Sequence, residues 1–560
     1  MNKKLIAGCL AAIVAITALA WIIFGGSKKD DYASVIPDSA VLVARMAPVE
    51  FLEKNNIELD ELADKVGEGK RFVKMGLSYL KGCGVDITRP FYFFVDGNAC
   101  IGMCAAVSDV KDLKSVIKTE LHEELLDKDG YNWVKMVNGD GWLCFDSDKV
   151  LFYGNPRRIS VMQTDIIELM KQDEDKSVLS TDLYKQLIDS KKSFAANLDY
   201  EAAMDITKSL AGNSSDMAAM TATGLLVPPC NMLVALDAEG SKVQCTTDVF
   251  PKDSKAEKEY DELMSKIPGI TGDLVGKGLK NPFAWLCFNF PGKKLLEFVK
   301  QIPGAEEALA QISQQVDITT LLGSFNGDVT LSMNNNLKSE DPEFLLMAST
   351  ENNKYVDVLN TLTKLNGGDM ALVSDGGSSF HVTQKVFDWS SWNDDYIELD
   401  DDEELFDEED DDYFDDLDDL TDDDMADFSS PSPAPTSTSV KTMAYIYNKD
   451  NIFMLTNSEN IKNTPQSGSQ AVEKYKSDMM GCKIYGFVDI QEFVKQVKLV
   501  QEHVDDRETA ILSVLKGLKD VVLKVSDRHM ELTLNTMDDK NFVDFVCDAI
   551  QSVSSTLGLR

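Results

Sequence analysis

Phe145-Asp146-Ser147-Asp148-Lys149-Val150-Leu151-Phe152-Tyr153-Gly154-Asn155 and Tyr447-Asn448-Lys449-Asp450-Asn451-Ile452-Phe453-Met454-Leu455-Thr456-Asn457 align without a gap. Each reads as a polar turn between two apolar strand runs, the pattern of a hairpin. Upstream, Val85-Asp86-Ile87-Thr88 recurs as Val316-Asp317-Ile318-Thr319. Both copies precede strand-like runs and then a helical pattern, at about 110–117 and 355–362.

Four further segments run from an apolar strand directly into a helix. They are Ala40 to Met46, Ser193 to Leu198, Phe283 to Phe290 and Lys483 to Val488. Asp199 and Asp489 follow the second and fourth, where a carboxylate accepts hydrogen bonds from unpaired first-turn amides. Those two segments also lead to a plainer ending, two strands at 232–249 and 521–535 and then a helix.

The expected fold class is therefore α+β: a duplicated pair of modules (long, short, long, short), mainly antiparallel sheets with helices packed on one face, after an N-terminal membrane helix. The boundaries follow as an anchor at 1–30, a long module at 31–185, a short one at 186–275, a second long one at 276–475 and a second short one at 476–560. The second long module carries an acidic insertion at 394–439.

Length and composition set the outer limits. A chain of 560 residues can bury sizeable cores, and 44% hydrophobic against 27% charged residues is a globular balance. The net charge of -39 opposes binding to phosphate backbones, so nucleic acid is excluded as a partner. From Leu5 to Phe24 no residue is charged, which is a membrane-spanning length. Ten of those residues are Leu, Ile, Val or Phe, together contributing about -3 to -6 kcal/mol of insertion energy.

Two processed forms compete with an uncleaved signal anchor. Cleavage after Ala18-Leu19-Ala20 would cut inside a run that continues through Trp21 to Phe24. A lipoprotein start at Ile6-Ala7-Gly8-Cys9 leaves only four residues between Lys4 and Cys9. The anchor is preferred, with the bulk outside the cytoplasm: inner-membrane anchored, in the periplasm.

No motif specifies a reaction. Nine cysteines beyond Cys9 are an odd number, and most sit in apolar runs such as Trp142-Leu143-Cys144-Phe145, as small buried hydrophobes. Cys100 and Cys104 are too far apart along a strand to bridge. The four histidines lack the i, i+4 spacing of a zinc helix. Gly67-Glu68-Gly69 and Gly276-Lys277-Gly278 lack the remainder of a nucleotide loop, which makes them turns or helix ends. No catalytic, cofactor-binding or metal-ligating residue is assigned, and no cofactor is expected.

The opening of the body, Asp31-Tyr32 and then Val35-Ile36-Pro37-Asp38-Ser39-Ala40-Val41-Leu42-Val43, followed by a helix centred on Leu52, resembles an envelope protein family of Bacteroides-like bacteria. This is domain-of-unknown-function family 4836. The resemblance implies an exported protein and supplies no catalytic residues. An uncleaved anchor departs from the lipoprotein start associated with many members.

Between Asp394 and Asp427, 22 of 34 residues are acidic and none is basic. Neighbouring charges about 5 Å apart lie within a Debye length of about 8 Å and repel, so this arm is expected to be open. It replaces the tight turn Asn138-Gly139-Asp140-Gly141 of the first long module, joining a strand near 380–384 to one near 443–447. Phe406, Tyr413, Leu417 and Leu420 form a helical stripe within it, a candidate partner-binding set for a basic protein with an apolar groove. The expected function is a membrane-anchored extracytoplasmic binding or scaffolding protein of the cell envelope. The alternative is an extracytoplasmic hydrolase whose site is assembled from residues distant in sequence.

Overall fold

The computed structural model describes residues 30–556 except 59–60, 62–77, 79–81, 121, 137–140, 156, 159, 212–226, 301–304, 315, 336–341, 365–368, 388–437, 464–469, 501–505 and 538–539. The segment 5–24 and the stripe Phe406, Tyr413, Leu417 and Leu420 lie outside the described residues. Among the described residues no helix is long and apolar enough to cross a membrane.

Among the described residues twenty strands form one sheet. The first ten are β1 Ala40–Met46, β2 Phe91–Asp96, β3 Ile101–Ala106, β4 Leu126–Lys128, β5 Tyr131–Lys135, β6 Gly141–Phe145, β7 Lys149–Gly154, β8 Phe194–Asp199, β9 Cys230–Glu239 and β10 Lys242–Pro251. The second ten are β11 Ala284–Pro291, β12 Phe325–Asn334, β13 Glu343–Thr350, β14 Met370–Gly376, β15 Ser379–Phe387, β16 Thr438–Lys449, β17 Ile452–Thr456, β18 Ile484–Asp489, β19 Leu518–Val525 and β20 His529–Thr536. The hydrogen-bonded order in the first half is β4-β5-β6-β7-β3-β2-β1-β8-β9-β10. It continues through β10–β20 into β20-β19-β18-β11-β12-β13-β17-β16-β15-β14, and every pairing is antiparallel. Adding ten to each strand number of the first half gives the order of the second, read inward from the other edge.

Helices cover both faces of this sheet, which corrects the expectation of one. The cause lies in strands that are apolar on consecutive residues, since neighbours along a strand point to opposite faces. Cys104, Cys144 and Leu151 pack with Met162 and Ile166 of the helix Met162–Lys171. Their neighbours Ala105, Phe145 and Val150 pack with Leu113 and Ile117 of the helix Val110–Thr119.

Strand-to-helix junctions fall where the aspartates stand. Asp199 Oδ1 accepts from the amide of Ala202 at 3.1 Å, and Asp489 Oδ1 from that of Glu492 at 2.9 Å. The recurring tetrapeptide serves two ends: Asp86 holds a turn by accepting from Thr88, while Asp317 caps the helix Ile318–Gly323 through Thr320. Gly276 and Gly278 both adopt positive φ, as turn glycines do. The nine cysteines among the described residues form no disulfide with one another, and burial pushes the Cys144 thiol up to about 12.

The acidic insertion ends before 439, because β16 already includes Thr438 and Ser439, and β15 ends at Phe387 on its other side. Phe380 pairs with Ile446 and the ladder runs to Phe387 opposite Thr438, so the two ends of the intervening segment lie side by side. Replacing residues 388–437 with Asn-Gly-Asp-Gly should therefore leave the melting temperature within about 2 °C of the parent, because the closing ladder is kept while self-repulsion and loop-closure entropy fall. A larger drop in a thermal scan would mean that the segment packs on the body.

Candidate functional site

The β-ladder registers place a straight apolar row across the middle of the sheet. Leu236 pairs with Cys245, Cys245 with Leu532, Leu532 with Leu523, Leu523 with Gly486, Gly486 with Leu286 and Leu286 with Leu331. A second row runs beside it: Ala238, Val243, Leu534, Val521, Val488, Ala284 and Met333, again each opposite the next. Residues two apart on a strand share a face, so both rows look out from the same side.

Between the rows, over β12, β11, β18, β19 and β20, runs a groove of about 250 Å³. Leu331, Leu286, Gly486, Leu523 and Leu532 form one side, and Met333, Ala284, Val488 and Val521 the other. Trp285 and Phe487 complete the lining. Their rings are stacked, centroids 6.1 Å apart, in the core cluster on the opposite face. Leu532 is 42% exposed and Val488 38%, so the groove is open to solvent.

Two features shape it. Gly486 leaves a notch in the first row: a Cβ there would come within 3.0 Å of Leu286 Cδ1. The helices Ile490–Val500 and Phe542–Thr556 stand on the same side of the sheet and cover part of the second row, with Val494 and Phe545 clustered against Val521 and Leu534. The groove thus has a wall of helices along one flank.

Its chemistry is simple. All eleven lining residues are apolar or glycine, so none can transfer a proton, attack a carbon or hold a cation. The lining can exclude water from an apolar surface, at about 25 cal/mol per Å² removed from solvent.

Three buried or half-buried carboxylates lie outside the groove lining and have structural partners. Asp328, fully buried on β12, accepts from the amides of Thr271, Gly272 and Asp273 at 2.9, 2.7 and 3.2 Å. Thr271 Oγ1 and Asn289 Nδ2 complete its shell. In the first half Asp96 accepts from the amides of Asn98 and Cys100 and from the Tyr153 hydroxyl. Asp30, at the junction with the amino-terminal segment, accepts from the Tyr92 hydroxyl at 2.6 Å. Burial raises its pKa, against the opposing pull of Tyr92, Arg45 and Arg89. Among the described residues no three His, Cys, Asp or Glu side chains are grouped to hold a metal ion.

No sequence motif points to a residue of this groove. Its signal was present in the apolar runs of β11, β18 and β19, but which strands adjoin depends on the pairings β11–β18 and β10–β20, which join segments some 200 and 290 residues apart. The partner-binding set Phe406, Tyr413, Leu417 and Leu420 lies outside the described residues and is not placed relative to the groove.

Against known proteins, the profile of a family described as Domain of unknown function (DUF4836) matches residues 81–389, more than half of the chain. The chain belongs to this family. The DUF4836 match runs from just ahead of β2 to the end of β15, so it includes β11 and β12 of the groove, whereas β18, β19 and β20 lie beyond it. No curated protein matches. Among solved structures, one titled "Structure of crystal form IV of TP0453" is similar over 39% of this chain and 80% of its own, at 10% identity and TM-score 0.25. Crystal form I of TP0453 is similar over 42% and 86%, at 11% identity and TM-score 0.23.

Proposed function

We propose that this DUF4836 protein is a binding or scaffolding protein of the cell envelope that works without chemistry, with the groove between β12 and β20 as its binding surface. The observation that carries this reading is the groove lining itself, eleven residues without a titratable or nucleophilic side chain. Residues 5–24 anchor the chain in the inner membrane and leave the body in the periplasm, where a water-filled compartment makes an open apolar surface worth covering. The body is a duplicated pair of modules, supported by the strand order that reappears with ten added to each number and by the repeated hairpin and Val-Asp-Ile-Thr segments. The acidic arm, through Phe406, Tyr413, Leu417 and Leu420, is available to a basic partner.

Chains isolated from their own envelope in mild detergent should release about one apolar molecule each on solvent extraction, read by mass spectrometry. The Leu532→Glu variant should release far less. Chains that carry no such molecule yet turn over ester or peptide substrates would favour the hydrolase alternative instead.

A further inference from the structure

The groove has a direction and a width as well as an apolar lining. It crosses five strands at right angles, four steps of about 4.8 Å, so it is about 19 Å long. With bonds of about 1.5 Å at near-tetrahedral angles, about 15 carbons of an extended hydrocarbon cover that length. Its volume of about 250 Å³ is below the range of roughly 300–1,000 Å³ usual for compact ligands, so a thin chain lying lengthwise fits better than fused rings.

Polarity narrows the occupant further. Any donor or acceptor along the ligand body would lose its water without finding a partner. A peptide backbone is therefore disfavoured and a plain hydrocarbon is not. A second copy of the sheet is also disfavoured, because the helices Ile490–Val500 and Phe542–Thr556 rise beside the groove and would meet it first. The head group stays in water, since the lining offers it no partner. Even without the 22 acidic residues of 394–427 the chain carries a net charge of -17, which repels an anionic one.

We propose that the groove holds one straight acyl chain of a diacyl lipid whose head group has no net charge. The assignment rests on the reading of the groove as a binding surface and specifies its ligand class.

Photo-crosslinking tests it with the full chain in phosphatidylethanolamine vesicles, doped with a phosphatidylcholine whose acyl end carries a diazirine. After irradiation and digestion, adducts should map to β11, β18, β19 and β20 as well as to residues 5–24. Leu532→Glu and Val488→Glu, both at solvent-exposed positions, should each lower the groove adducts about tenfold or more, since a charge in an apolar site costs more than about 1.4 kcal/mol. Adducts within 5–24 should be unchanged, which makes that segment an internal control.

Adducts confined to residues 5–24, or groove adducts insensitive to both substitutions, would overturn the assignment. So would a higher groove yield from a diazirine sterol or fatty-acid anion, or crosslinked chain dimers through β20. If extraction releases a stoichiometric apolar molecule while acyl adducts are absent from the groove, the binding reading stands and the acyl assignment falls.

Discussion

Replacing Asp328 by alanine should destabilise the second half of the molecule by about 3 kcal/mol or more. Three backbone amides, those of Thr271, Gly272 and Asp273, lose their acceptor at once, and each buried donor left unpaired costs about 1–3 kcal/mol. The loss propagates to the groove through packing. Thr271 to Asp273 fix the segment whose Ile270 and Val275 pack against Trp285, Cys287 and Phe487, on the underside of the strands that form the groove floor. Trp285 therefore reports the change: its fluorescence should reveal unfolding at a clearly lower urea concentration in the variant. An unshifted midpoint would mean that water or a neighbouring group replaces the carboxylate at no cost.

The second large effect separates backbone from side chain at one position. Leu532 lies on β20, which is hydrogen-bonded to β10 on one side and β19 on the other, and β10–β20 is the strand pairing that joins the two halves of the sheet. Leu532→Pro introduces a ring and removes a donor inside this central ladder, which costs about 3 kcal/mol or more. It should abolish cooperative unfolding of the β18–β20 region. Leu532→Glu places its carboxylate where the parent side chain is 42% exposed, so stability should change by no more than about 1 kcal/mol. Parallel melts followed by circular dichroism distinguish the two, and equal melting temperatures would show that the β10–β20 seam does not hold the sheet together.

Much of this architecture was legible in the sequence because local patterns carried it. The hairpins at β6–β7 and β16–β17, the strand-to-helix junctions at Asp199 and Asp489, and the pairing of the strands on either side of the acidic arm all stand where periodicity and turn chemistry put them. The second covered face was not read, although Phe91-Tyr92-Phe93-Phe94 already had too many consecutive apolar residues for a sheet with one wet side. The groove was illegible for a different reason. A row such as Leu532, Leu523, Gly486 and Leu286 exists only after four strands have paired in register, and no local window contains more than two of its members. Asp328 was hidden likewise, since one aspartate among 94 acidic residues gains meaning only from the amides folded onto it.

The most direct test of the central claim is a fluorescence titration of the full chain with a straight, uncharged apolar dye such as diphenylhexatriene, comparing the parent with the double variant Leu523→Glu, Leu532→Glu. Covering an apolar groove should give the parent a saturable transition at about one dye per chain, and the double variant, folded by circular dichroism, should have lost it. Identical saturable curves would place binding elsewhere on the molecule, and a non-saturable rise in the parent would contradict a defined apolar binding groove altogether.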